Sequence, residues 1–69
     1  MRYAVVIEKI GGNFGAYVPD LPGCIATGHS VDEVENLIRE AIELHIEGLR
    51  EDGDLPPPPN AVTLMVDTA

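Results

Sequence analysis

The chain has 69 residues and a mass of 7.4 kDa, and its hydrophobic content of 45% with a mean hydropathy of +0.07 excludes an intrinsically disordered protein. This length predicts one small domain, residues 1–69. Twelve acidic residues against four basic ones give a formal charge of −8, which repels phosphate backbones and anionic lipids, so we expect a basic protein partner and no direct binding to nucleic acid or membrane.

Three strands are predicted in the first 28 residues. Residues 2–10 are rich in Val and Ile, which predicts strand one with Tyr3, Val5 and Ile7 on one face and Ala4, Val6 and Glu8 on the other. Gly11–Asn13 tolerate positive φ and predict a tight hairpin turn into a second strand over Phe14–Val18, which Pro19 ends. Asp20–Gly23, with sequence DLPG, is typical of a type II turn, and a third short strand is expected over 24–27.

A long helix is predicted to follow. Ser30 to Glu33 has the S-x-x-E pattern of a capping box, so we expect a helix over 31–52 with Gly53 as its left-handed stop. Its apolar side covers an arc of roughly 200°, twice the roughly 100° that one sheet face requires. The arc contains Leu44, Leu37, Gly48, Ala41, Val34, His45, Ile38, Leu49, Ile42 and Ile46. We therefore expect a homo-oligomer, either a dimer or a tetramer.

The remaining residues predict a connector and a last strand. Pro56–Pro59 favour a stiff polyproline II segment, and the run AVTLMV at 61–66 is typical of a closing strand. The expected fold is therefore α+β, in the order β-β-β-α-β. It combines an antiparallel three-stranded sheet and a C-terminal strand with one helix packed on one face.

Catalytic chemistry has little support in the sequence. A carboxylate-metal nuclease needs several converging acids, whereas the strands offer only Glu8, Asp20 and Asp67 and the helix acids are expected to face solvent. No CxxC motif or Cys/His cluster indicates zinc. His45 is better explained by packing or an interface than by catalysis, because no nucleophile is placed beside it in the sequence. We therefore expect that the protein has no cofactor and is not an enzyme.

The single cysteine, Cys24, cannot form an internal disulfide and is expected to behave as a small buried hydrophobe in a reducing compartment. The apolar run at the N-terminus is too short for a signal peptide or a membrane span. These observations predict a cytoplasmic protein.

The order of elements resembles one known family. The matching residues are Tyr3–Ile7, the run GAYVPDLPGC at 15–24, Thr27–Ser30 with Val31, Glu33 and Val34, the run IREAIEL at 38–44, and the proline-rich stretch before the last strand. On these residues the sequence is similar to the HicB-type antitoxins. The resemblance implies a truncated ribonuclease H-like domain that has lost its catalytic residues and sequesters a small basic, RNA-cleaving HicA-type toxin.

The resemblance implies masking of the toxin without bond cleavage. Many members of the family add a C-terminal module that binds operator DNA, and because the sequence stops at Ala69 we expect no such activity. Exposure and charge select six candidate partner-binding residues, namely Tyr17, Asp20, Leu21, Pro22, Glu43 and Glu47. Two alternatives stay open: an oligomeric scaffold or accessory domain without a toxin, and a residual nuclease.

Overall fold

Four regular elements make up the fold. The computed structural model describes residues 1–69. The elements are strands β1 (Val6–Ile10), β2 (Asn13–Tyr17) and β3 (Ile25–Gly28) and helix α1 (Val31–Glu51). The strands form one antiparallel sheet in the order β1-β2-β3, and α1 packs mainly on β2 and β3. The predicted α+β architecture of three antiparallel strands and one helix is confirmed.

The hairpin between β1 and β2 turns at Gly11 and Gly12. Ile10 pairs with Asn13, so the loop has two residues. Gly11 has a φ of 59°, whereas Gly12 stays at negative φ, which is the pattern of a type II′ turn. The first strand is shorter than predicted, because it begins at Val6 and the residues before it have no strand partner.

The DLPG turn closes a small loop between β2 and β3. The N–H of Cys24 donates to the carbonyl of Leu21 at 3.0 Å, and Gly23 takes a φ of 84°, so the predicted type II turn is confirmed. The Val18 N–H donates to the Cys24 carbonyl at 3.2 Å and closes the base of the loop. β3 starts at Ile25, one residue later than predicted, because Cys24 belongs to this loop.

The ends of α1 are stabilised locally. The Ser30 hydroxyl accepts the N–H of Glu33 at 3.1 Å, as the capping box requires. The expected reciprocal bond from the Ser30 amide to the Glu33 carboxylate is absent, because that carboxylate lies against Gly28 instead. At the other end, Gly53 has a φ of 78° and donates to the Arg50 carbonyl, which confirms the predicted glycine stop.

The core lies between the sheet and the first half of α1. Its six buried side chains are Ala16, Val18, Leu21, Cys24, Val34 and Ile38. Leu21 and Val34 are completely inaccessible. Beyond Ile38 the predicted apolar arc of the helix is only partly covered, and Leu44 is 68% exposed. The sheet therefore buries only part of the apolar surface that the helix presents.

The C-terminal residues form no strand, so the predicted closing strand over 61–66 is wrong. The chain after α1 is held by side-chain contacts instead of a backbone ladder. The Tyr3 hydroxyl donates to the Pro57 carbonyl at 2.6 Å, and the Asp20 carboxylate accepts the N–H groups of Asn60 and Ala61 at 3.1 and 3.0 Å. These bonds fix the connector at the end of the sheet, and the residues directly after it line a cleft with Arg2–Val5 without forming main-chain hydrogen bonds.

Candidate functional site

An open groove runs between the N-terminal residues and the second half of α1. It has a volume of about 810 Å³. The residues that line it are Met1, Tyr3, Arg39, Ile42, Glu43, Ile46, Glu47, Arg50 and Glu51, and we call it the acidic groove. It exists because α1 extends past the sheet, while the Tyr3 bond to Pro57 holds the N-terminal side in place. Its apolar floor and charged rim suit a protein ligand better than a small molecule.

The rim of the acidic groove carries unpaired carboxylates. Glu43, Glu47 and Glu51 are spaced by four residues, so they lie one above the other on one side of the helix. The only ion pair in the structure joins Arg39 to Glu35 at 2.9 Å. The three rim carboxylates form no ion pair, although Arg39 and Arg50 also line the groove. Such a row favours an incoming positive charge.

Tyr17 lies elsewhere, on the face of the sheet that α1 does not cover. Its neighbours Ala16 and Val18 are buried beneath the helix, and Tyr17 itself is 42% exposed. It pairs across the strands with Val6 and with Ile25. These three side chains form a row across the open face of the sheet.

The DLPG turn places its predicted site residues in three different environments. Pro22 is exposed at the tip of the turn. Asp20 is half-buried, and its carboxylate binds the connector. The prediction that Leu21 offers an exposed side chain is wrong, because its side chain is completely buried in the core. Of the six predicted residues, the structure brings only Glu43 and Glu47 into the acidic groove.

The groove also contains residues that the sequence reasoning missed, chiefly Tyr3, Ile42 and Ile46. The sequence does indicate Ile42 and Ile46, because they directly precede the predicted site residues Glu43 and Glu47. That adjacency places an acidic ridge along the border of the apolar arc. No comparable pattern marked Tyr3, whose role follows from a hydrogen bond to a residue 54 positions away.

Other reactive side chains are either packed or only locally bonded. Burial raises the pKa of the Cys24 thiol, as expected for a small hydrophobe in the core. His45 is half-buried on α1, and the exposed His29 ring meets the Asn13 side-chain oxygen at 3.0 Å. No three His, Cys, Asp or Glu side chains are grouped to hold a metal ion. α1 is also not apolar enough to cross a membrane.

Comparison with known proteins gives consistent matches over most of the chain. The family model described as a HicB-like antitoxin of bacterial toxin-antitoxin systems matches residues 3–69. A UPF0150 protein of Archaeoglobus fulgidus is 44% identical over 57 residues, which cover 78% of this chain and 83% of that protein. A 14.9 kDa protein encoded in the rep-hol intergenic region of Haemophilus phage HP1 is 39% identical over 67 residues, or 97% of this chain. The chain spans half the length of this phage relative.

A solved structure extends the similarity to three dimensions. It is described as the HicA3 and HicB3 toxin-antitoxin complex, and one of its chains superposes with a TM-score of 0.72 at 35% identity. The match covers 86% of this chain and 70% of that chain. The similar fold thus occurs in a protein solved as part of a toxin-antitoxin complex.

Proposed function

Because the chain belongs to the HicB-like antitoxin family, we propose that it neutralises a small basic HicA-type toxin by binding it directly and covering its RNA-binding surface. The observation that carries this proposal is the acidic groove, in which three carboxylates outnumber the two arginines Arg39 and Arg50 beside an apolar floor, in a chain whose net charge of −8 complements a basic partner. The role requires no bond cleavage, no cofactor and no direct contact with nucleic acid. A protein with this role would act in the cytoplasm, where the RNA that the toxin cleaves is located.

Charge and apolar contact have different roles in the proposed complex. The net charge of −8 raises the rate at which a basic protein meets the antitoxin. The rim residues Glu43 and Glu47 orient that encounter, and the apolar floor at Ile42 and Ile46 excludes water once the partner is seated. Masking then follows from steric coverage.

The turn and the open sheet face supply a second part of the proposed contact surface. Tyr17 and Pro22 are exposed and have few rotatable side-chain bonds, which suits them to contact a partner without a large loss of side-chain entropy. Asp20 and Leu21 contribute through position, since one binds the connector and the other anchors the turn in the core.

Self-association is part of the same proposal. Leu44 on α1 and Ile25 on the open sheet face are 68% and 67% exposed, and small domains without disulfides commonly gain stability by forming oligomers. A dimer or tetramer would cover such residues. The antitoxin role does not depend on this step, because a monomer also presents the acidic groove.

Charge reversal in the groove tests the proposal. We expect Glu43→Lys with Glu47→Lys to keep the fold, because both side chains are exposed, and to slow association with a co-purified HicA-type toxin by roughly 10-fold at low salt. The matched control is Glu40→Lys with Asp54→Lys, which changes the net charge equally at exposed positions outside the groove. Stopped-flow association and RNA cleavage by the toxin are the measurements.

The outcomes separate the candidate functions. A larger loss of association rate and of toxin inhibition in the groove variant than in the control supports the acidic groove as the binding site. Equal effects would assign the charge effect to net charge alone and contradict the groove. If the wild-type protein neither binds the toxin nor blocks RNA cleavage, the antitoxin proposal fails and the oligomeric scaffold is favoured.

A further inference from the structure

Strand β3 lies at one edge of the sheet, and its outer main-chain groups have no partner. β3 pairs with β2 on one side only. The Val18 N–H donates to the Cys24 carbonyl, and hydrogen-bonded pairs alternate with non-hydrogen-bonded pairs along an antiparallel ladder. Ile25 and Thr27 therefore direct their N–H and C=O groups away from β2, and we call these groups the β3 edge. Both residues are exposed, and no hydrogen bond outside the regular elements uses their main chain.

The β3 edge lacks the features that usually protect an edge strand. Natural sheets protect their edges with lysine, proline, charged side chains or a covering segment. β3 has the sequence IATG, without a charge or a proline. β1 at the opposite edge of the sheet contains Lys9, and the residues before it form a cleft with the C-terminal residues. Of the two edges, β3 is therefore the one that is open to an additional strand.

The basic residues of the chain lie on the other side of the fold. Arg2 precedes β1 and Lys9 belongs to it. Arg39 and Arg50 line the acidic groove together with Tyr3 from the N-terminal segment. These are all four lysine and arginine residues, so none of them lies beside β3. The β3 edge therefore offers no permanent cation that would repel a basic segment.

The side of α1 next to β3 adds a carboxylate and an apolar side chain. The Glu33 side chain lies 3.2 Å from the point where a Cβ on Gly28 would stand, so it borders the end of β3. Leu37 follows one helical turn later on the same side and is 37% exposed. The nearest base is His29, whose ring is bonded to the Asn13 side chain at 3.0 Å. A strand beside β3 would meet Glu33 and Leu37 with its helix-facing side chains.

We propose that the β3 edge takes an extended basic segment of the protein partner as a fourth strand. This inference rests on the proposed function for the identity of the partner and adds the way in which it is held. Main-chain bonds to Ile25 and Thr27 would hold the segment, while Glu33 favours a basic side chain. Charge selects the occupant, because a second copy would bring two chains of charge −8 together at this edge, whereas a basic segment is attracted.

A proline at position 27 tests the main-chain bonds. The Thr27 N–H points away from β2, so Thr27→Pro removes an outward donor and leaves the bonds between β2 and β3 in place. We expect dissociation of a HicA-type toxin to become at least about 10-fold faster, because a hydrogen bond is lost and the ring obstructs the incoming strand. Thr27→Val keeps the N–H and is the matched control, with a change below about 2-fold. Circular dichroism checks that both variants fold.

Hydrogen exchange of the wild-type chain gives a measurement that needs no variant. The amides of Ile25 and Thr27 should exchange at least about 10-fold more slowly once the toxin is bound. Toxin binding that leaves both amides unprotected overturns the β3 edge and leaves the antitoxin role intact, as do equal effects of Thr27→Pro and Thr27→Val. Protection that grows with protein concentration in the absence of toxin assigns the edge to a second copy and also overturns the inference.

A synthetic peptide tests the β3 edge without the toxin. A peptide of about eight residues that alternates lysine and valine has the length and charge of the proposed strand. In NMR titrations it should shift the amide signals of Ile25 and Thr27, and salt should weaken the effect, whereas a glutamate-valine peptide should leave them unchanged. A response to the lysine peptide in a chain that does not bind the toxin would refute the proposed function and support the edge. No response to either the lysine peptide or the toxin overturns the inference.

Discussion

Leu21→Ala separates a core role from a contact role at the DLPG turn. The Leu21 side chain is completely inaccessible and belongs to a core of six residues, so truncation leaves a cavity that the small fold cannot readily fill. We expect a loss of about 3 kcal/mol in the free energy of unfolding. A chain of 69 residues has only roughly 3–10 kcal/mol in total, so the variant is expected to be close to unfolding.

Thermal and urea denaturation followed by circular dichroism measure this loss. The melting temperature should fall by roughly 12–24 °C, with wild type and variant compared at the same protein concentration because self-association adds to stability. Leu55→Ala is the matched control, since the same truncation at an 89% exposed leucine should cost less than about 0.5 kcal/mol. A loss below about 1 kcal/mol for Leu21→Ala would refute the assignment of Leu21 to the core.

Two further predictions concern polar groups near the turn. Asp20→Ala should cost about 1 kcal/mol and speed amide exchange at Asn60 and Ala61, because it removes the acceptor of both N–H groups, whereas unchanged exchange would contradict the anchoring role. For Cys24, burial raises the folded-state pKa above the usual 9.0, so the unfolded chain ionises first as the pH rises. The contribution of Cys24 to the free energy of unfolding should therefore be constant below pH 9.0 and be lost as the pH rises through the folded-state pKa. The difference from Cys24→Ala across that pH range isolates the effect from other titrating groups, and parallel curves would contradict it.

The turns and the helix could be predicted from sequence because their causes are local. Gly23 follows Pro22 at the position where a type II turn needs positive φ, and its φ is 84°. Gly53 ends α1 for the same reason. Ser30 and Glu33 mark the helix start, although only the Ser30 side chain forms its capping bond. In each case residues within a few positions determine the backbone conformation.

The C-terminal strand could not be predicted in the same way, because a strand requires a partner as well as a suitable sequence. Residues 61–66 are rich in residue types that favour strands, yet they form no ladder within the chain, where the Asp20 carboxylate instead binds the N–H groups of Asn60 and Ala61. The residue types of 61–66 favour a strand, but the structure forms none there. The outcome depends on contacts between residues about 40 positions apart.

The candidate site also contains residues that local spacing predicts and residues that only tertiary contacts determine. Glu43 and Glu47 were identified because helical spacing alone places them on one exposed ridge, and both line the acidic groove. Leu21 was misassigned because turn residues are usually exposed, whereas this turn folds back and inserts its leucine beneath α1. Neither the position of Tyr3 in the groove nor the burial of Leu21 can be inferred from the sequence, because both depend on the tertiary structure.

The row of Glu43, Glu47 and Glu51 is not explained by the stability of the isolated chain. Like charges four residues apart on a helix repel one another. Neither of the two arginines in the groove relieves this repulsion by an ion pair, because Arg39 pairs with Glu35 and Arg50 pairs with no carboxylate. Alternating these acids with lysines would stabilise the helix and still keep it soluble. The arrangement instead concentrates negative charge beside an apolar floor, where a basic partner would relieve the repulsion on binding. Free-chain stability and affinity should therefore respond in opposite directions when single rim glutamates are neutralised.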